Sequence, residues 1–348
     1  MNLAAILLLG WCAGGAVDPD PSGGPPKERG VALGLFSADP DFGYASLLRE
    51  IKDLGASHVS VVWVWWQADT ASEVIGPKPG WSATDNQILE TLRTAVDLGL
   101  HVTAFPIVRL ETSDPDQWRG KIMPVDEDRW WESYEAFILH ATVLARSAGI
   151  QRLSVGSELL SREGMRQRWL RLIDRVRLRA EELELMYSAN WDHFRFVSFW
   201  DALDVVGLTA YWELTRNPNA EVRELLTAWF PIRHDVRAWS SSIGRPFVFT
   251  EVGYPSLDGG AMFPWDETRK GSVDLEEQRR AYEAFVATWS GVDELDGVYF
   301  WNWFGFGGKT DSNYTPRDKP AAQVVRSWYR GGTKAERGSK TRKKRPKP

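Results

Sequence analysis

The sequence is poor in cysteine and in the patterns that hold metals or phosphates. One cysteine, Cys12, in 348 residues rules out an intrachain disulfide, so the fold has to rest on its core. That cysteine sits in the N-terminal apolar run, which leaves no thiol nucleophile in the body of the chain. The five histidines (His58, His101, His140, His193 and His234) form neither an HxH nor an HExxH pattern. This argues against a metal-dependent hydrolase, and neither a metal nor a cofactor is expected. No GxSxG turn is present, so a serine-nucleophile elbow is unsupported. The first predicted strand ends in FSADPDFG, without the glycine-rich turn of a dinucleotide-binding sheet. The longest apolar run, Leu3 to Val17, falls short of the about 20 residues a spanning helix needs.

That run instead fits the apolar centre of an export signal over residues 1–17, although no Lys or Arg precedes it. LGWC, ending at Cys12, resembles a bacterial lipobox, whose cysteine becomes a lipidated N-terminus. Membrane attachment through Cys12 and plain secretion are both open, and either makes the protein an exported one. Residues 18–29, rich in Asp, Pro, Gly and Ser, read as a linker. From Thr333 onward the chain has eight Lys and Arg against one Glu, a local +7 that leaves −12 on the remainder of a chain totalling −5. The segment 331–348 is therefore expected to be a disordered basic tail. The acidic body would repel phosphates, so nucleic acid is not an expected partner.

What the sequence does hold is tryptophan, 19 in all, within a chain that is 43% hydrophobic and 26% charged, as soluble globular proteins are. Most of these rings belong in a core, but their number favours a protein that stacks flat apolar faces such as sugars present. Between 30 and 330, apolar runs alternate with amphipathic helical segments. The runs are GVALGLFS (30–37), HVSVVWVWW (58–66), HVTAFPIVRLE (101–111), RLSVGSEL (152–159), ELMYSANWDH (184–193), ALDVVGLTAYW (202–212), PFVFTEVGY (246–254) and DGVYFWNWFG (296–305). Eight such strands with intervening helices predict a single-domain α/β fold, the (β/α)8 or TIM barrel, expected to be monomeric. Near-continuous apolar strands are what a parallel barrel requires, since both faces are covered.

In such a barrel the functional site lies at the C-terminal ends of the strands. Glu158 ends strand four and Glu251 ends strand seven, with no Lys or Arg close downstream of Glu251. A carboxylate there must be satisfied, protonated or functional. Strands four and seven lie opposite each other, so the two side chains can converge on the barrel axis. Two carboxylates about 5 Å apart are the retaining-glycosidase arrangement, one as nucleophile and one as acid and then base. Arg109, Asn190, Trp191, Tyr211 and Trp301 also fall at strand ends. Trp63, Trp65 and Trp66 alternate in direction, so at most two can be sugar platforms; Trp63 and Trp65 are taken as the candidates. Arg109 and Asp192 fit structural ion pairs as well as substrate contacts, and Trp130 and Trp131 fit packing.

Beyond single residues, the segments WWESYEAFILHATVLA, LSVGSELL, LMYSANWD, ALDVVGLTAYWEL, VFTEVGYPS and GVYFWNWFG resemble glycoside hydrolase family 113. Its characterised members are β-1,4-mannanases within clan A of retaining barrel glycosidases. The resemblance runs from about Gly30 to Tyr329. It implies Glu158 as acid/base, Glu251 as nucleophile, Tyr211 as the nucleophile's hydrogen-bond donor and Trp301 as the floor under the reacting sugar. It also implies a polysaccharide or oligosaccharide substrate. Clan A enzymes usually carry Asn before the acid/base; here Ser157 stands in that place, and either Ser157 through a water or Asn190 would have to read the sugar 2-hydroxyl. Two other readings stay open: a non-catalytic carbohydrate-binding surface lipoprotein, and a clan A glycosidase acting on another β-glycan, with endo or exo action undecided.

Overall fold

The computed structural model describes residues 24–331 except 113 and 115. The expected export signal with Cys12, the linker's first residues and the tail from 332 lie outside the described residues. The strands are β1 (Glu28–Gly34), β2 (His58–Gln67), β3 (His101–Leu110), β4 (Arg152–Ser157), β5 (Glu184–Ala189), β6 (Val205–Thr209), β7 (Phe247–Val252) and β8 (Leu295–Phe300). The helices are α1 (Ala45–Leu54), α2 (Asp85–Asp97), α3 (Glu127–Ala148), α4 (Leu160–Glu163), α5 (Arg166–Arg177), α6 (Val222–Ile243), α7 (Leu275–Trp289) and α8 (Pro320–Tyr329). Every strand pairs in parallel with its sequence neighbour, and β1 pairs with β8 to close the barrel. The (β/α)8 expectation is met.

Local chemistry sets the element ends. Thr84 and Gln87 form a reciprocal capping box at the start of α2, and Asp126 and Asp274 cap α3 and α7 by accepting from the third backbone N–H. Helix α3 stops at Gly149, whose φ of 68° is the left-handed turn that glycine adopts without penalty. Two differences from the sequence reading stand out. Strand β1 starts at Glu28, inside the expected linker, because Glu28 has a buried partner. Strands β5 to β8 end earlier than their apolar runs, so Asn190, Trp191, Tyr211, Trp212 and Trp301 belong to the loops that follow.

Apolar side chains fill two separate layers. Ala32, Val62, Val64, Phe105, Ile107, Met186 and Val248 pack inside the barrel. A larger layer, including Val61, Trp63, Tyr134, Trp169, Trp229 and Phe285, lies between strands and helices. Below the inner layer, Arg152 crosses from β4 to the far wall, bonding both Glu28 carboxylate oxygens at 2.8 Å and Glu184 at 2.9 Å. The Tyr299 hydroxyl completes the set at 2.9 Å from Glu28. The Glu28 carboxyl is disfavoured as a charge by burial, yet Arg152 holds it below its ordinary range. On the outer side, the Tyr329 hydroxyl at the end of α8 lies 2.7 Å from the Gly30 carbonyl and 3.1 Å from that of Val298, straddling the β1–β8 seam.

Arg152→Ala strands Glu28 in the barrel floor without its counter-charge. Loss of about 3–5 kcal/mol in urea unfolding is expected, the range for breaking a buried ion pair. An unchanged midpoint would mean that the floor cluster does not hold the barrel together.

Candidate active site

The strands that carry Glu158 and Glu251 share a local irregularity. Between Ser154 and Ser157, β4 has one more residue than β5 has between Met186 and Ser188. Between Phe249 and Val252, β7 likewise has one more than β8 has between Val298 and Phe300. Such a bulge re-aims the side chains beyond it. Thr250 remains in the barrel interior, bonded to Ser188 at 2.6 Å across the lumen, and Glu251 follows it toward the barrel mouth. On β4 the extra position is taken up at Gly156, where a Cβ would come within 2.6 Å of the Tyr134 hydroxyl.

Glu158 has φ of 55°, the left-handed region, which costs a non-glycine residue on the order of 1–3 kcal/mol and clusters at functional sites. Buried hydrogen bonds hold it there. Its own N–H donates to the Ser188 carbonyl at 2.8 Å, and the next N–H, of Leu159, donates to the Tyr187 hydroxyl at 2.9 Å. Tyr187 in turn donates to Glu163 at 2.8 Å, and the Nε2 of His193 lies 3.6 Å from the second Glu163 oxygen. Burial opposes a charge on His193, but Asp192 and Glu163 outweigh it and lift the imidazole to about 9. Asp192 is thus an ion-pair member.

At the mouth itself, the Tyr211 hydroxyl donates to Glu251 Oε2 at 3.0 Å, whereas Glu251 Oε1 is buried without a partner. Arg119, from a short 3-10 turn at Arg119–Lys121 after β3, donates to Glu158 Oε2 at 2.6 Å. Its side chain is only 19% exposed and that of Glu158 11%. Burial disfavours the Arg119 charge, but Glu158 and Glu251 more than compensate and raise its pKa. Glu251 is pushed up to about 8, first by burial and then by the nearby charge of Glu158; Arg119 and Tyr211 pull the other way.

The remaining expected site residues differ in their surroundings. Tyr211 hydrogen-bonds Glu251. Ser157 is buried with its hydroxyl unpartnered, Asn190 accepts from Thr209 at 3.1 Å and from the Trp191 N–H at 2.9 Å, and Trp191 meets Trp212 at 5.9 Å. Trp301 is half-buried at the end of β8, beside Phe36 at 6.1 Å and against the inner layer. Arg109 pairs with Glu267 and lies over the Trp66 ring at 5.8 Å.

Trp63 and Trp65 are corrections. Trp63 is 0% exposed in the layer under the helices, and Trp65 stacks on Phe137 of α3 at 4.7 Å. Alternation along β2 puts both on the outer face and leaves Trp66 facing the lumen with Val62 and Val64. Arg119 and Glu267 were missed entirely, because both come from loops with no periodic signal. Loop 255–274, which carries Glu267, is tied down by Glu277, accepting from Gly259 at 2.7 Å and Ala261 at 2.9 Å. Among the described residues no group of His, Cys, Asp and Glu is arranged to hold a metal.

A barrel of this topology with paired buried glutamates at its mouth is the frame of a glycoside hydrolase. The sequence profile of glycoside hydrolase family 113 matches residues 43–318, and the chain belongs to that family. A solved GH113 β-1,4-mannanase superposes with a TM-score of 0.77 at 23% identity, covering 88% of this chain and 99% of that one. The GH113 β-mannanase AaManA from Alicyclobacillus acidocaldarius, solved in complex with ManMIm, gives 0.77 at 25% identity over 88% and 97%. A β-D-glucuronidase from Dictyoglomus thermophilum shares the fold at a TM-score of 0.60 and 14% identity, over 88% of this chain and 51% of its own. A comparison with curated proteins returns no match.

A raised carboxyl has a consequence for stability. Between its ordinary value of 4.5 and about 8, Glu251 binds more proton in the folded than in the unfolded chain. Stability from this group is therefore full below that window and is lost as pH rises through it. Glu251→Gln removes the titration. It should unfold with wild type at pH 4.5 and be more stable by about 1 kcal/mol or more above pH 8. Parallel pH–stability curves would contradict the assignment.

Proposed function

We propose that this glycoside hydrolase is a retaining β-1,4-mannanase working by double displacement, with Glu251 as nucleophile and Glu158 as acid/base. The observation that carries the reading is the Glu251 carboxylate: buried, fixed on one oxygen by Tyr211, and bare on the other. In the first step Glu251 bonds the anomeric carbon while Glu158 gives its proton to the departing glycosidic oxygen. In the second, Glu158 takes a proton from water, the water oxygen bonds the anomeric carbon and the Glu251 ester bond breaks. Trp301 would lie under the reacting sugar. Ser157 and Asn190 are the side chains available to meet its 2-hydroxyl. The mannan preference rests on the two mannanase relatives.

In the free protein neither side chain is set for reaction: Arg119 occupies one oxygen of Glu158, and burial favours a protonated Glu251. Chemistry needs Glu158 free to donate and Glu251 ionised. Substrate entering between them would break the Arg119–Glu158 contact and supply hydroxyl donors that favour the Glu251 charge. The ion pair also favours a second reading, a glycan-binding protein whose acid is permanently disarmed. An exported protein suits either reading, and the mass of the mature N-terminal peptide would show whether Cys12 carries lipid.

Mannohexaose incubated with the protein should yield shorter manno-oligosaccharides, and Glu251→Gln should lose about a thousandfold or more in kcat while still binding. Binding without products from mannan, xylan or cellulose would leave the disarmed binder as the answer. Glu158→Ala should slow natural glycans far more than aryl glycosides with good leaving groups; equal losses would end its role as acid.

Because Glu251 attacks only when ionised, kcat/KM should rise toward about pH 8 as the free protein's Glu251 loses its proton. Because Arg119 lowers the Glu251 value, Arg119→Gln should move that rising limb upward. A downward shift in the pH–kcat/KM profile would refute the role given to Arg119.

A further inference from the structure

Trp66 is drawn into a cluster that the chemistry above does not use. The loop after β2 folds back on the strand end: the Trp66 N–H donates to the Gly76 carbonyl at 2.8 Å, and the Gly76 N–H returns to Trp66 at 3.0 Å. A tight turn follows, in which the N–H groups of Trp81 and Ser82 both donate to the Lys78 carbonyl, at 2.9 and 2.8 Å. The Ser82 hydroxyl accepts from the Lys78 N–H at 2.9 Å, and Gly80 supplies the φ of 76°. This turn presents Trp81 edge-on to Trp66, with ring centres 5.4 Å apart and planes at 87°.

Trp81 remains 60% exposed. The Lys78 ammonium stands 4.8 Å from its ring centre and bonds Glu111 at 2.6 Å. The Trp66 indole nitrogen is buried and has no partner. An exposed indole fixed by a rigid turn, with an ammonium over one face and a carboxylate bonded to that ammonium, has the makings of a sugar-binding step, with ring C–H groups on the other aromatic face and hydroxyls on the charged groups. It also adjoins the barrel interior: Trp66 packs against the inner apolar layer, as Trp301 does, and Arg109 over the Trp66 ring pairs with Glu267 of loop 255–274.

We propose that Trp81, with Trp66 and Lys78, forms a distal subsite for a neutral β-linked glycan chain extending from the two glutamates. The inference rests on the glycosidase reading and adds a demand for length: a chain must be long enough to reach the β2–β3 side before the subsite contributes. It favours internal cleavage of polymers over removal of single terminal sugars.

The test is calorimetry on the full-length Glu251→Gln protein with mannobiose, mannohexaose, xylohexaose and cellohexaose, alone and combined with Trp81→Ala. Trp81→Ala should weaken the bound hexaose about tenfold, the usual order for truncating an aromatic anchor, and leave mannobiose unchanged. Trp81→Phe should fall between, and Phe230→Ala, an exposed aromatic on α6, should change nothing. An unchanged hexaose, an equal loss for disaccharide and hexaose, or no binding of any hexaose would each overturn the subsite. If mannohexaose fails to bind but another hexaose binds and is weakened by Trp81→Ala, the subsite stands and the mannan assignment falls.

Discussion

The repulsion between two carboxylates in a poorly hydrated pocket is the constraint around which the mouth of this barrel is organised. Either glutamate alone could be neutralised by a proton. Beside Arg119, burial and the Glu158 charge oppose a charge on Glu251 while Arg119 and Tyr211 favour one, and the surrounding structure absorbs the cost. Tyr211 takes one oxygen of Glu251, Arg119 takes one of Glu158, and the left-handed backbone at Glu158 is pinned by Ser188 and Tyr187. Glu251 Oε1, Ser157 Oγ and Arg119 Nε are buried there without a partner, which costs folding stability that the rest of the barrel has to supply.

The opposite end of the barrel also encloses charge. Arg152 divides its guanidinium between Glu28 and Glu184 and is nearly inaccessible, with a side-chain exposure of 4%. That ion is enclosed with its counter-charges and bridges strands far apart in sequence. At the mouth, loop 255–274 is held by Glu277, accepting from Gly259 and Ala261, and through Ser256 by the enclosed Lys319–Asp311 pair between the loops after β7 and β8. Both ends of the barrel thus use enclosed charge to join distant segments.

Much of this was legible in the sequence because it depends on period and order. Eight apolar runs spaced by helical segments define the barrel, and glutamates at the ends of the fourth and seventh follow its geometry. Parity was not legible. HVSVVWVWW reads as continuously apolar because both faces of a barrel strand are covered, so nothing in the run says which tryptophans face the lumen. Trp63 and Trp65 turned out to belong to the helix layer, and Trp66 to the cleft. The bulges before Glu158 and Glu251 were equally hidden, since an extra residue is defined only against a partner strand. Arg119 lies in a stretch with no pattern at all, and only the path of the chain through space brings it to Glu158.

The seam between β1 and β8, bridged from outside by Tyr329, bears on how the protein comes into being. A strand formed among the first must wait for one formed among the last, and the helix that seals them comes later still. At translation rates of about 5–20 residues per second, that wait is on the order of tens of seconds. For that time the nascent sheet is an open ribbon with a raw edge, the form in which β structure most readily pairs with another chain. Ring closure therefore makes β8 and α8 the guardians of β1, and the unfinished ribbon needs shelter until they arrive.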